Sequence, residues 1–366
     1  MSDWPRARPP GSDRAPDRRT SRGRRRIAAA TALLLFLPGG PPAHAALTEG
    51  KRLADVYDTI LNAQFDQIDA QLKRTCPPAP AEACQSLRVA SLWWQILINP
   101  ESRALDKPLN DSAASAIAAS DAWTRREPQR GEAWFYLAAA YAPLVQWRVL
   151  RGERLAAARE ANTIRDALER ALRLDPTLGD AYFGIGLYHY YAAVAPAGAK
   201  ILRFLLFLPG GDRAQGLREM QKARERGEVL RSEVDYQLSV VYLWYEQQTP
   251  QALELLAGLD ARYPANPHFH QRIAEIRDTY LHDAASSAAA WKELLARALA
   301  GRVYAARTTE VRARMGLATE LVAMNRTNEA IEQLRIVVSL HPAVPIGAAA
   351  HADAQLRAAL ARLPKK

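Results

Sequence analysis

Residues 128–141 read PQRGEAWFYLAAAY, and residues 176–189 read PTLGDAYFGIGLYH. The two stretches align without a gap. In each, a proline is followed by an acidic residue, an alanine, aromatic residues and a small residue. Proline is tolerated in the first turn of a helix, because the N–H that it lacks has no helical partner there. A pattern repeated at a fixed offset indicates an architecture built from copies of one helical unit.

Both stretches resemble the first helix of a tetratricopeptide repeat, or TPR. There a large aromatic residue, a leucine, a small residue and a tyrosine follow one another at fixed spacing. In the first copy these positions hold Trp134, Leu137, Ala138 and Tyr141. In the second copy they hold Tyr182, Ile185, Gly186 and His189, so a histidine stands where tyrosine is usual. The resemblance implies a scaffold that binds partners.

The second helix of a TPR carries small, bulky and small residues before a closing proline, and this pattern recurs along the chain. The matches are Ile164, Leu168, Ala171 and Pro176; Gly216, Met220 and Ala223; Ala252, Leu256, Leu259 and Pro264; and Ala330, Leu334, Val337 and Pro342. The closing prolines are unevenly spaced, which predicts insertions or extended helices in several hairpins. Because one hairpin cannot bury its apolar face alone, neighbouring hairpins must stack.

The resemblance implies an all-α fold: a right-handed α-solenoid of TPR-like helical hairpins with insertions and a C-terminal capping helix. Residues 110–342 hold the repeats, and the alanine-rich residues 343–366 form the capping helix. An N-terminal helical region covers residues 46–109. Its apolar residues between positions 51 and 74 recur every three or four residues, which is the spacing of one face of a helix.

Residues 1–45 have the three parts of a secretory signal peptide. A basic run ends at Arg26, residues 27–37 are apolar, and residues 43–45 (AHA) match the small-x-small pattern before a cleavage point. Cleavage is therefore predicted between Ala45 and Ala46. The apolar stretch is shorter than the roughly 20 residues of a membrane-spanning helix, so a membrane anchor is the weaker alternative. The sequence predicts export, with a periplasmic or extracellular location.

The chain has two cysteines, Cys76 and Cys84, on either side of the proline-rich segment PPAPAEA. In an oxidising compartment, such a pair is expected to form a disulfide that closes a turn between two helices. Closing so small a loop stabilises a fold by about 2.5 kcal/mol on chain-entropy grounds. Two unpaired thiols are the alternative.

The formal net charge of +10 is concentrated in the leader. Residues 1–45 contain nine arginines and three aspartates and so carry +6 of it, which leaves +4 on the rest of the chain. A mixed surface with so small an excess does not indicate nucleic-acid binding. No nucleic-acid partner is therefore predicted.

The sequence holds no short motif of a known catalytic mechanism: no G-x-S-x-G, no P-loop and no H-E-x-x-H. No catalytic residue, metal site or cofactor is predicted. Glu132, Asp180 and His189 are the one set that could perform acid–base chemistry. The two carboxylates also suit the first turn of a helix, where the dipole favours negative charge, and this structural interpretation is preferred. A role as an enzyme or enzyme subunit stays an alternative.

Residues 192–212 read AAVAPAGAKILRFLLFLPGGD and form an apolar insertion between the two helices of one repeat. The part between its prolines would reach about 18 Å as a helix, which is too short to span a membrane. One interpretation is a helix that covers the inside of the solenoid. The other is an exposed flap that meets lipid, a membrane surface or an apolar ligand, as in an envelope-associated carrier.

In a TPR array the first helices line the concave face, and this register predicts a binding groove rich in aromatic residues. Tyrosine and tryptophan offer large contact areas with a polar group for hydrogen bonding. The predicted partner is a protein or peptide, with lipid or a membrane surface as a further candidate; packing between helices is the alternative interpretation. The groove residues are Phe135, Phe183, Leu187, Tyr190, Tyr191, Gln237, Trp244, Tyr245, His268 and Gln271.

Overall fold

The computed structural model describes residues 47–194, 210–343 and 345–362. Over these residues the chain is all-α, with fifteen α-helices, one 3₁₀ turn at Phe65–Gln67 and no β-strand. The predicted fold class is confirmed. The first four helices are α1 (Gly50–Leu61), α2 (Ile68–Thr75), α3 (Ala81–Ile98) and α4 (Asp106–Arg126).

The two repeated stretches each open a long hairpin in the middle of the chain, and four further pairs of helices surround them. The middle helices are α5 (Gly131–Arg151), α6 (Arg154–Leu174), α7 (Ala181–Val194) and α8 (Arg213–Arg226). The C-terminal helices are α9 (Arg231–Trp244), α10 (Thr249–Arg262), α11 (Pro267–Thr279), α12 (Ala284–Leu299), α13 (Ala306–Ala323), α14 (Thr327–Leu340) and α15 (Ala348–Ala361).

Helices α3 to α14 pack as six successive hairpins, and α15 packs on α14 and α13 to end the array. The first of these hairpins starts at Ala81, before the predicted repeat boundary at residue 110. We call the first helix of each hairpin its leading helix. Leading helices also contact one another, because α3 touches α5, α5 touches α7 and α11 touches α13. They therefore line one side of the stack, which we call the inner face.

The repeated stretches make the same local contact, 48 residues apart. The Trp134 indole N–H donates a hydrogen bond to the carbonyl of Pro128 over 3.0 Å. At the equivalent position, the Tyr182 hydroxyl donates to the carbonyl of Pro176 over 3.1 Å. In both hairpins an aromatic side chain thus fixes the turn that enters the leading helix, so the sequence repeat is a structural repeat.

Small residues lie where the two helices of a hairpin approach most closely. A Cβ atom on Gly216 of α8 would lie 2.6 Å from the carbonyl oxygen of Gly186 on α7. Between α11 and α12, the Ser287 hydroxyl donates to the carbonyl of Ala274 over 3.0 Å. In the last hairpin Ala330 is fully buried. These positions need small side chains because a larger one would push the two backbones apart.

Candidate functional site

The middle of the inner face is filled by the chain's own N-terminal helices. Trp94 on α3 is fully buried. Its ring centroid lies 5.2 Å from that of Tyr236 on α9, and 5.6 and 6.1 Å from those of Phe269 and His268 on α11. The array therefore curves until its first leading helix packs across the inner face against α9 and α11.

A buried carboxylate joins three helices at this point. Glu233 in the first turn of α9 accepts hydrogen bonds from the Tyr57 hydroxyl over 2.9 Å and from the Trp94 indole N–H over 3.2 Å. The Gln237 amide donates to the same carboxylate over 3.2 Å. Burial raises the pKa of Glu233, while these three donors favour its ionised form. Glu233 thus ties α1 and α3 to the inner face.

Residues 47–67, which we call the N-terminal segment, run across the starts of successive leading helices. The Thr48 N–H donates to Glu132 at the start of α5 over 2.8 Å. Farther along, the Asn266 amide before α11 donates to the carbonyl of Leu61 over 2.7 Å. The rings of Phe65 and Tyr304, which precedes α13, meet edge to face with centroids 4.8 Å apart. One segment therefore contacts the hairpin of α5 and also the hairpins of α11 and α13, which lie much farther along the array.

The predicted groove residues divide between the interior and the surface. Phe135, Phe183 and Gln237 are buried, and Tyr190 is fully buried. These four pack in the interior, which is the alternative interpretation weighed for them above. His268 is half-buried and its Nε2 atom lies 2.9 Å from the Tyr236 hydroxyl. The half-buried or exposed remainder is Leu187, Tyr191, Trp244, Tyr245 and Gln271.

Three of these remaining residues form an aromatic surface together with one arginine; Tyr191 is half-buried and the other two rings are exposed. Trp244 is 54% exposed and Tyr245 is 41% exposed, at the end of α9. The Tyr245 ring meets Tyr191 edge to face with centroids 5.6 Å apart, and the Arg272 guanidinium lies 6.0 Å from the centre of the Trp244 ring. We call Tyr191, Trp244, Tyr245 and Arg272 the aromatic patch.

The residues that could perform acid–base chemistry have separate partners. The Asp180 carboxylate accepts hydrogen bonds from the backbone N–H groups of Glu228 and Leu230 over 2.9 and 2.8 Å, at the turn that enters α9. His189 Nδ1 lies 2.6 Å from the Glu219 carboxylate, whereas Glu132 is bound by Thr48 and Arg130. Burial raises the pKa of Asp180, against the effect of its backbone donors. The three residues do not share a partner in the described structure.

Other sites predicted from sequence have the following outcome. Cys76 and Cys84 form a disulfide between α2 and α3, as expected. Within the described residues, no group of three or more His, Cys, Asp and Glu side chains could hold a metal ion. No helix in the described ranges is long and apolar enough to cross a bilayer. The insertion at 192–212 lies mostly outside the described residues, so both interpretations of it remain predictions.

Comparison with known proteins places the fold only. No family model matches the sequence, and no curated protein matches it. Similar solved structures include the Cut9–Hcn1 hetero-tetramer of the APC/C, a human IFIT1 dimer with PPP-AAAA, and yeast Tom70. Their identities are 13, 14 and 14%, with TM-scores of 0.37, 0.43 and 0.30. All three are TPR-like helical arrays.

The matches are partial in both directions. They cover 74, 82 and 76% of this chain, in the order given, and 52, 70 and 64% of the other chains. The chain thus spans about half the length of the Cut9 match. Values this low limit the likeness to the TPR-like architecture, and the partners of those proteins do not carry over.

Proposed function

We propose that the protein is an exported TPR-like scaffold that binds a protein or peptide segment at the aromatic patch. The observation that carries this proposal is a large aromatic surface that is exposed and yet held in place. Trp244 and Tyr245 are about half exposed, while Arg272 and Tyr191 contact their rings from the neighbouring leading helices. Aromatic and arginine side chains of this kind dominate the energetics of protein interfaces.

The position of the patch supports binding there rather than along the whole inner face. Trp94 occupies the middle of that face, against Tyr236 and His268. The aromatic patch includes Trp244 and Tyr245 at the C-terminal end of α9, about two turns beyond Tyr236. A partner can reach it without displacing α3. Because the rings are already fixed by their neighbours, little conformational entropy is lost when a partner packs on them.

Binding at the patch is tested with the mature protein and single substitutions. Trp244→Ala and Tyr245→Ala are each expected to weaken partner binding by about 1–3 kcal/mol, or about 5- to 150-fold in Kd, since each removes a large ring from the interface. Partners are first captured from envelope extract on immobilised protein, with bound proteins and lipids both identified. Kd is then measured by calorimetry with the purified partner.

Tyr280→Ala is the matched control, because Tyr280 is a 42% exposed tyrosine outside the patch. It should bind as the unmodified protein does. All three variants should keep the helical circular dichroism of the parent. Normal partner binding by both patch variants would contradict the proposal.

A lipid- or envelope-associated role is a second candidate, favoured by exposed apolar side chains in the turns inside two hairpins. These are Val149, Leu150 and Leu155 around the α5–α6 turn, and Leu281 after α11. The sequence between α7 and α8, the two helices of a third hairpin, holds most of the 192–212 insertion. Recovery of lipid without protein in the capture experiment would favour this candidate over the scaffold.

Export is proposed from the leader at residues 1–45, with cleavage between Ala45 and Ala46. One observation supports this proposal: Leu47, the second residue after the proposed cleavage point, is only 5% exposed and so belongs to the fold. The mature protein recovered from the cell envelope is expected to begin at Ala46 when its intact mass is measured. A membrane-embedded product that retains residues 27–37 would contradict the proposal.

A further inference from the structure

Three apolar side chains are exposed around the tight turn between α5 and α6. Val149 is 61% exposed, Leu150 is 38% exposed and Leu155 is 56% exposed. The turn brings them together, because the N–H of Glu153 bonds to the carbonyl of Arg148 over 2.8 Å. Exposed apolar side chains that lie together mark an interaction site. We call Val149, Leu150 and Leu155 the apolar tip.

Two arginines of α5 hold the apolar tip in place. The Arg148 Nε–H donates to both carboxylate oxygens of Glu160 on α6, over 2.8 and 2.7 Å, and the same guanidinium pairs with Glu153. Arg151 is largely buried and donates to the Asp106 carboxylate at the start of α4 over 2.7 Å. The turn is therefore tied to both neighbouring helices. Little conformational entropy is lost when a fixed turn of this kind binds a partner.

The apolar tip is flanked by positive charge. Each carboxylate that bonds to the two arginines is already neutralised by them. Arg154, in the turn itself, is exposed and pairs with no carboxylate among the described residues. Arg103 is likewise exposed and unpaired within the described ranges, and the carbonyl of its neighbour Ser102 accepts a hydrogen bond from Arg151 over 2.8 Å. Two free arginines therefore lie beside the tip.

We propose that the apolar tip inserts into the surface of a lipid bilayer that contains anionic lipids, with Arg103 and Arg154 at the phosphate groups. The inference rests on the lipid-associated role given above as the second candidate, and it names the surface and the lipid for that role. Elements that lie in a membrane interface combine apolar side chains with basic ones. The apolar groups enter the boundary of the acyl chains, while long basic side chains keep their charge among the headgroups.

The composition of the tip favours a bilayer over a protein partner. Valine and leucine are under-represented among the residues that dominate protein interfaces, where tryptophan, tyrosine and arginine prevail. Those aromatic residues occur at the aromatic patch instead. The end of a helical hairpin is also convex and offers no pocket for a partner's side chain, whereas a fluid bilayer adapts to its shape. The tip and the aromatic patch are therefore assigned different partners.

Vesicle sedimentation tests the proposal with the mature protein at physiological ionic strength. Vesicles are made of phosphatidylcholine with or without phosphatidylglycerol, which is anionic. The parent should bind the anionic vesicles, because a basic residue at an anionic surface adds about fivefold in affinity. The double variant Val149→Ser/Leu155→Ser should bind them at least about tenfold more weakly. The double variant Arg103→Gln/Arg154→Gln should lose about 25-fold on anionic vesicles and nothing on neutral ones.

Two controls match these changes at other places on the surface. Leu299→Ser alters a 60% exposed leucine at the end of α12, and Lys292→Gln removes an exposed cation from the same helix. Both should bind vesicles as the parent does, and all variants should keep the parent's circular dichroism. The tip variants should also keep the parent's affinity for a protein captured at the aromatic patch. Failure at the tip and failure at the patch are therefore separate results.

Three outcomes would overturn the proposal. Equal binding of anionic vesicles by the parent and Val149→Ser/Leu155→Ser would leave a lipid-associated role but remove the tip from it. A parent that sediments with neither kind of vesicle would remove that role altogether. A parent that binds no vesicles but forms a dimer in analytical ultracentrifugation, which the serine variant loses, would make the tip a contact between two copies of this chain. Unchanged binding by Arg103→Gln/Arg154→Gln would overturn the assignment to anionic lipid.

Discussion

Replacing Trp94 by alanine is expected to lower the free energy of unfolding by about 3–5 kcal/mol, the range for deleting a buried tryptophan. The ring is fully buried and contacts Tyr236, His268 and Phe269. These partners lie on helices three and four hairpins farther along the array. The substitution therefore removes the contact that closes the array across its inner face, in addition to opening a cavity.

The hydrogen bond from Trp94 adds to the effect. Its indole N–H is one of three donors to the buried Glu233, and a buried carboxylate that loses a donor costs about 1–3 kcal/mol. Trp94→Phe keeps much of the packing but removes this donor. Its free energy of unfolding should therefore fall between those of the parent and Trp94→Ala. The free energy of unfolding is measured by urea denaturation with circular dichroism.

Trp134→Ala is the matched control. Trp134 is only partly buried, and its indole bonds to the nearby Pro128 carbonyl within the same hairpin. Its removal should cost less than that of Trp94, because it joins no distant parts of the chain. Equal or larger destabilisation by Trp134→Ala would mean that closure across the inner face contributes little.

The fold could be predicted from the sequence because its signals are local. The positions that pack within one hairpin are a few residues apart, as in the spacing of Trp134, Leu137, Ala138 and Tyr141. The bonds from Trp134 to Pro128 and from Tyr182 to Pro176 each span six residues. A pattern of this length is visible in one stretch of sequence, and its repetition makes the interpretation secure.

The contents of the inner face could not be predicted in the same way. Glu233 bonds to Trp94 and Tyr57 across 139 and 176 residues of sequence. Helical spacing shows which side of a helix faces inward, but it does not show which distant segment covers that side. The predicted groove residue Gln237 is therefore buried beside Glu233, whereas Trp244 and Tyr245, past the reach of α3, are exposed.

The acidic residues at the helix starts do more than interact with the helix dipole, because each of them also binds another part of the chain. Glu132, Asp180 and Glu233 stand at similar places near the starts of leading helices α5, α7 and α9. Glu132 holds the N-terminal segment, Asp180 binds the turn into α9, and Glu233 joins α1 and α3. In the sequence, the recurrence of an acid next to the first turn was the available signal for these contacts at the helix starts. Only the folded chain shows that each acid binds a different partner.

Acidification is expected to destabilise the protein through His268. Burial lowers the pKa of His268 to about 3, and the charges of Arg272 and Arg312 act in the same direction. In the unfolded chain its pKa is about 6.5. Between these values the unfolded chain binds a proton that the folded chain does not, so stability is lost as pH falls below about 6.5. The loss between pH 7 and pH 4 is expected to be about 2–3 kcal/mol, allowing for the partial exposure of the ring.

Other buried groups act in the opposite direction, so the variant His268→Gln is needed to isolate this contribution. The pKa of Glu233 is raised by burial, which stabilises the folded state as its carboxylate becomes protonated. Glutamine keeps a polar group for the Tyr236 hydroxyl, which lies 2.9 Å from His268 Nε2, but it does not titrate. Urea denaturation from pH 7 to pH 4 should therefore show a smaller loss of stability in His268→Gln than in the parent.

His351→Gln, at an exposed histidine on α15, should follow the parent. Parallel profiles for the parent and His268→Gln would show that protonation of His268 does not contribute to the loss of stability. Water or a proton would then reach its ring despite the packing of Trp94 and Tyr236.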